Sequence, residues 1–308
     1  MFVNRRRLFV LVAGLGLSPV ATAAAAPRVT SVDVGPRPGP VAVNSTTGSV
    51  YVGCGDGTVT IVGGGLIPAD ADDLAVDEIT GRVYAANRTA GTVTVFDADG
   101  DLRSVVPCGP GAAVLDVDAD ADRLYVGSAS AASVAVVDTI ASVLDALLHG
   151  TGTGYAALRV HRGSQVAYLT SPAENAVHVL DLASGDFTAS IPVGQSPSGT
   201  AVHQESNTVY VANSGIHHLS VVDGASRTQR ETILLRSEAS SVAVHQSSHT
   251  VYCNGGPDGI VRIDGVMAKI TGELSLGINP GQVAVDQDTK TVYVTDPVHG
   301  LLHVITNF

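Results

Sequence analysis

Tryptophan is missing from this sequence altogether, and aromatic residues make up only 4% of it. That removes a tryptophan-derived quinone cofactor within the chain and the indole platforms on which sugars stack. Cysteine is nearly as scarce. Cys54, Cys108 and Cys253 stand at unrelated spacings with no C-x-x-C, so no disulfide framework is encoded and three small buried thiols are expected. Past residue 20 no apolar run is long enough to cross a bilayer, so no membrane insertion is expected. Positive charge is short as well: 17 Lys and Arg stand against 29 Asp and Glu. That balance argues against nucleic acid and anionic membranes as partners. There is also no G-x-S-x-G elbow, no H-E-x-x-H and no phosphate loop following a strand.

The chain opens with a basic trio, Arg5 to Arg7, then an apolar run from Leu8 to Val20 and the small-residue stretch Ala21-Thr22-Ala23. This is the layout of an export signal. Arg6-Arg7-Leu8-Phe9-Val10 further resembles the twin-arginine pattern, which implies export in the folded state. Residues 1–23 are therefore read as a twin-arginine-like signal peptide and residues 24–308 as one domain, secreted, periplasmic or held at the cell surface. Cleavage takes three of the 17 basic residues and no acid, so 14 remain against 29 acidic residues, a formal charge of −15.

What the sequence has in abundance is Val, Ala, Gly and Thr, the composition of short strands joined by tight turns. The strands repeat. Tyr51, Tyr84, Tyr125, Tyr168, Tyr210, Tyr252 and Tyr293 anchor seven similar units, for example "TVYVANSGIHHLSVVD" and "TVYVTDPVHGLLHVI". Each unit has an alternating run before the tyrosine, the tyrosine strand, a run after a Gly/Asn/Ser-rich turn, and a weaker fourth run such as "TASIPVG". Four strands per unit of roughly 40 residues predict a propeller blade, so the fold class is all-β, a seven-bladed β-propeller. The last unit stops at its third strand, while residues 28 to 35 form an orphan fourth strand. They are expected to complete blade seven and remove the open edge. In blade one, "GGGLIPADADD" offers no good fourth strand, so a trimmed outer edge is expected there.

The units resemble the YVTN-type, YncE-like β-propeller repeat, whose tetrapeptide appears as Tyr293-Val294-Thr295-Asp296, Tyr210-Val211-Ala212-Asn213 and Tyr84-Ala85-Ala86-Asn87. The resemblance covers the whole mature chain and implies a fold far more than an activity: similar propellers serve as surface proteins, binding scaffolds, subunits of redox complexes and, in a related group, antibiotic-cleaving lyases. The Trp-Phe blade motif of the streptogramin-type lyases is absent, and no residue is carried over from them.

Antiparallel blades put the b–c turns and the d–a connections on one face, here called the top. His217, His218, Arg88, Glu174, Asn213, Asp258, Asp296 and His299 fall there, with Asp70, Asp72 and Asp73 in a d–a connection. For a lyase or hydrolase, His217, His218 or His299 would be the base and Glu174 or Asp296 its partner. For a binding protein, Tyr155, Arg88, Asn213 and Asp258 are the ligand candidates, Tyr155 as a platform or as packing fill. Nine residues before each tyrosine five blades carry alanine, but blades three and four carry Asp116 and Arg159, read as a buried ion pair across their junction. Seven residues before the tyrosine stand Asn44, Asp77, Asp118, His161, His203, His245 and Asp286. The three histidines are the weak candidates for a metal; the alternative is that they cap the a–b turn as Asn and Asp do. The acidic runs at 97–101 and 116–123 lack a full calcium loop, and read as solvated turns or as sites for Ca2+ or another divalent ion. The main functional expectation is a monomeric exported scaffold binding a protein or a small molecule at its top face.

Overall fold

The computed structural model describes residues 25–308 apart from Pro257, so the export signal expected over residues 1–23 lies outside the described residues. Each repeat forms a four-stranded antiparallel sheet, and there are seven such sheets. In blade four, strands a to d are Ala157–His161, Val166–Ser171, Ala176–Asp181 and Phe187–Pro192. The b strand is buried at all six positions because both of its faces meet a neighbouring blade, which explains its unbroken apolar run. The outer d strand alternates between half-buried and exposed residues for most of its length.

The core is divided. Seven apolar clusters occupy the seven junctions between blades, one built from Tyr84 and Leu115 between blades two and three, another from Tyr210 and Val244 between blades five and six. Each repeat tyrosine points into the next blade. The Tyr51 hydroxyl donates to Ala98 O (3.1 Å), Tyr168 to Asn207 Oδ1 (2.8 Å), Tyr210 to Gly265 O (2.9 Å) and Tyr252 to Phe308 O (3.1 Å). In these four blades the repeated tyrosine is thus a bolt, with its ring in one junction and its hydroxyl tied to the neighbouring blade, whereas the buried Tyr84 hydroxyl has no partner.

The orphan strand does close the ring. Arg28–Asp33 pairs with Leu301–Thr306 from Arg28 opposite Thr306 to Asp33 opposite Leu301. The chain then crosses into blade one, where Val34 is buried and its carbonyl accepts from Thr60 Oγ1 (2.6 Å) and Cys54 Sγ (3.1 Å). Blade one keeps a fourth strand after all, reduced to the three residues Leu66–Pro68. In blades two to six the c–d pairing slips at the same place, between Val95 and Phe96 in blade two and between Val179 and Leu180 in blade four. Such bulges twist an outer strand and blunt it as a template for edge pairing.

Candidate functional site

The lower rim is held by a circumferential belt. Three residues before every tyrosine the backbone turns left-handed, at Gly48, Gly81, Asp122, Gln165, Asn207, His249 and Lys290. Side chains seven before the tyrosine cap this turn: Asn44 Oδ1 accepts from Thr47 N (3.1 Å), and Asp77 Oδ1 from Ile79 N (2.9 Å). The histidines do the same through Nδ1, which accepts from Ser164 N in blade four (3.1 Å) and Ser206 N in blade five (3.3 Å). Their other nitrogen reaches the next blade. Nε2 of His161, His203 and His245 donates to the carbonyls of Gln204 (2.8 Å), Gln246 (2.9 Å) and Gln287 (3.0 Å). These contacts occupy both ring nitrogens of His161 and His203 and fix the neutral Nε2–H form, so neither ring has a lone pair left for a metal. His245 follows the same pattern, with Nδ1 against Ser248 Oγ (2.7 Å). Glutamines one residue on extend the belt: Gln246 Oε1 accepts from Gln204 N and Gln287 Oε1 from Gln246 N, both at 2.8 Å. His249, stacked on His203 at 3.5 Å, is pushed below the usual histidine range by burial and by that neighbour.

The acidic run at 97–101 is likewise consumed by its own turn. Asp97 accepts from the amides of Asp99 and Asp101 and pairs with Arg103. Among the described residues no group of three or more His, Cys, Asp or Glu side chains is arranged to hold a metal ion. The three cysteines are free and buried, and burial lifts the Cys108 thiol to about 11 and Cys253 to about 12.

On the top face the residue three after the tyrosine starts the b–c turn. Asn87 Oδ1 accepts from Ala90 N (2.8 Å), and Asp296 Oδ1 from the amides of Val298 and His299 (both 3.1 Å). That local job explains the last letter of the tetrapeptide in blades two and seven, whereas in blade five the Asn213 oxygen has no partner. The ionisable residues are then used in separate pairs: His217 Nε2 with Glu238 (2.9 Å), Arg88 with Asp72 (3.2 Å), Glu174 with His178 (3.1 Å) and Asp296 with His299 Nδ1 (2.6 Å). The Thr153 amide on Glu174, helped by His178, holds its carboxyl below the ordinary range. Burial works to raise Asp296, but hydrogen bonds from His299 and the turn amides outweigh it and keep it low. His218 is half-buried and pushed below the usual range by desolvation, while buried Asn213 holds the His218 carbonyl (2.9 Å). Asp258 accepts from Ser275 Oγ (2.6 Å), and Asp70 from Asn87 Nδ2 (3.3 Å).

Of the two readings of Tyr155 the packing one holds, the expected Asp116–Arg159 ion pair does not form, and His303 joins the site without a sequence signal. Tyr155 is 2% exposed, stacked on Phe187 (6.2 Å) and edge-on to His178 (5.7 Å). It fills the junction of blades three and four and presents no ligand platform. Asp116 and Arg159 lie close enough to influence each other but make no direct ion pair. Asp116 instead accepts the amides of Val117 (3.1 Å) and Val160 (2.8 Å), while Arg159 Nη1 donates to the carbonyls of Leu158 (2.6 Å) and Leu115 (3.3 Å). The reason is that inner strands converge on the axis with unpaired backbone groups that these side chains satisfy. The missed residue is His303. It is buried against Asp296, with Nε2 at 3.7 Å from the carboxylate and Nδ1 at 2.9 Å from Ser31 Oγ across the closing strand pair.

The axial channel holds two spaces that meet around Arg159. A lower one of about 450 Å³ is bounded by the inner strands of all seven blades, and an upper one of about 90 Å³ by Asp72, Asp73, Ser198, Thr200 and Gln282 among others. The larger space therefore lies toward the lower face, opposite the turns where the sequence placed its candidates.

No protein-family model matches this chain, and no curated protein matches it in sequence. Among solved structures it is similar to the selenomethionine-substituted virginiamycin B lyase of Staphylococcus aureus, with a TM-score of 0.76 and 11% identity, covering 91% of this chain and 99% of that one. At that identity the likeness establishes a shared seven-bladed propeller fold.

Proposed function

We propose that the protein is an exported, monomeric propeller of the YVTN type that binds a protein partner through its top face. The carrying observation is the distribution of charge there. The His217–Glu238, Arg88–Asp72, Glu174–His178 and Asp296–His299 pairs sit on four different blades and converge on no common cavity. The upper vestibule, at about 90 Å³, falls well short of the roughly 300–1,000 Å³ of small-molecule sites. A ring of small polar turns around a narrow mouth suits a broad macromolecular contact better than an enclosed ligand.

A second reading rests on the Asp296–His299 pair. Its buried carboxylate and exposed imidazole have the geometry of an oriented base, as a propeller lyase or hydrolase would need. This pair lines neither of the two channel spaces, which favours the binding reading.

Photo-crosslinking in the producing cells separates the faces. A crosslinking residue at 216 or 298, both exposed in top-face turns, should give one discrete adduct, and one at 266 on the lower face should give none. Adducts from 266 alone would overturn the assignment.

A further inference from the structure

Three ionisable side chains lie where the two channel spaces join and act on one another there. Asp73 lines the upper vestibule, Asp116 the lower chamber and Arg159 both. They come from the inner strands of blades two, three and four. The two carboxylates face one guanidinium, whose Nη1 is tied to the Leu115 and Leu158 carbonyls, and no carboxylate oxygen lies within 4.0 Å of it. Two carboxylates thus share one near guanidinium, with Arg162 acting on Asp116 more weakly, and burial pushes both carboxyls above the ordinary range.

The fold does not require these carboxylates. Asp73 Oδ2 accepts the amide of Leu115 in the next blade (3.0 Å), and in blade six Ser241 does the same job at the equivalent position, accepting Val283 N (2.9 Å) through a neutral hydroxyl. At the position of Asp116, five blades manage with alanine. A hydroxyl or an amide would clamp the blades as well, so the carboxylates are surplus to the clamp.

We propose that the join of the two spaces is a binding site for a small organic cation, an ammonium-bearing molecule whose charged head lies between Asp73 and Asp116 and whose apolar body occupies the lower chamber. The chamber volume of about 450 Å³ is that of a small-molecule site, and its walls set the alanines of five inner strands, Ala243 among them, beside polar groups such as Gln204 and Gln246. At its mouth Glu78 and Asp120 outnumber Arg162, a field that draws cations inward. Thr200, whose buried hydroxyl has no partner, lines the vestibule just above. A bare inorganic ion would leave most of the chamber's volume unfilled. The site opens toward the lower face, away from the proposed partner face, and stands or falls independently of it.

Titration of the purified exported chain with n-butylammonium, 1-butanol and butyrate, followed by calorimetry and ligand-observed NMR, tests the proposal. Butylammonium should bind saturably, butanol and butyrate should not, and equimolar sodium or potassium should leave the binding in place. Asp116→Asn and Asp73→Asn keep the hydrogen-bond acceptors yet should each weaken it about tenfold, as losing one charge-assisted contact does. Should either variant fold poorly, Ala243→Leu, which narrows the chamber, should block binding instead. Absent butylammonium binding, unchanged affinity in all three variants, preference for butyrate, or displacement by potassium would each overturn the proposal.

Discussion

Deleting residues 28 to 35 should lower the stability of the propeller by about 3–6 kcal/mol, read as a fall in melting temperature of roughly 6–15 °C. The deletion removes six cross-strand pairs with Leu301–Thr306 and the buried Val34 side chain that packs between blades seven and one. It also strips acceptors from Thr60 and Cys54 and leaves the third strand of blade seven as a bare edge. Calorimetry of the shortened chain, with sedimentation to detect edge pairing, checks this. A melting curve superimposable on the parent would mean that the ring does not depend on its latch.

The second large effect concerns the tyrosine bolts. Tyr210 is fully buried, and its hydroxyl reaches Gly265 O and His249 Nε2 (2.7 Å) in the next blade. Tyr210→Ala should cost about 3–5 kcal/mol for the emptied junction. Tyr210→Phe isolates the hydroxyl and should cost about 1–3 kcal/mol, because two buried groups lose their partner. Tyr155 provides the contrast: its buried hydroxyl has no partner, so Tyr155→Phe should be neutral or stabilising. Urea denaturation of the three variants measures all of this. Equal losses in the two phenylalanine variants would show that the hydroxyls of the repeat tyrosines do not bolt the blades.

The contrast also marks how far the sequence could be read. Blade number, strand order and the closing strand were legible because they are local or periodic: a tyrosine every 33–43 residues, apolar b strands, an unpaired run at one end. The turn-capping role of position −7 was legible for the same reason, since Asn44 and Asp77 act within their own turns. Contacts between blades were not. Nε2 of His161 meets a carbonyl 43 residues away, and only the rotation between blades brings the two together. Register alone put Asp116 and Arg159 at the same height on adjacent strands, but free backbone groups at the axis claimed both side chains before they met. Asp73 looked like a member of the Asp70–Asp72 surface run, and it is the turn into strand a that sends it into the channel. His303 carried no sequence signal, because its neighbours Ser31 and Asp296 come from opposite ends of the chain and from another strand.

The lower-rim histidines and the turn carboxylates are engaged in holding the ring together, each within its own turn or with a neighbouring blade. Elemental analysis of the exported, cleaved protein, paired with thermal melting in the presence and absence of a chelator, tests this role most directly. No stoichiometric transition metal or calcium and an unchanged melting temperature are expected. A bound metal at one per chain whose removal lowers the melting temperature would contradict it, and would make the His161, His203 and His245 belt or the Asp296 cluster a metal centre.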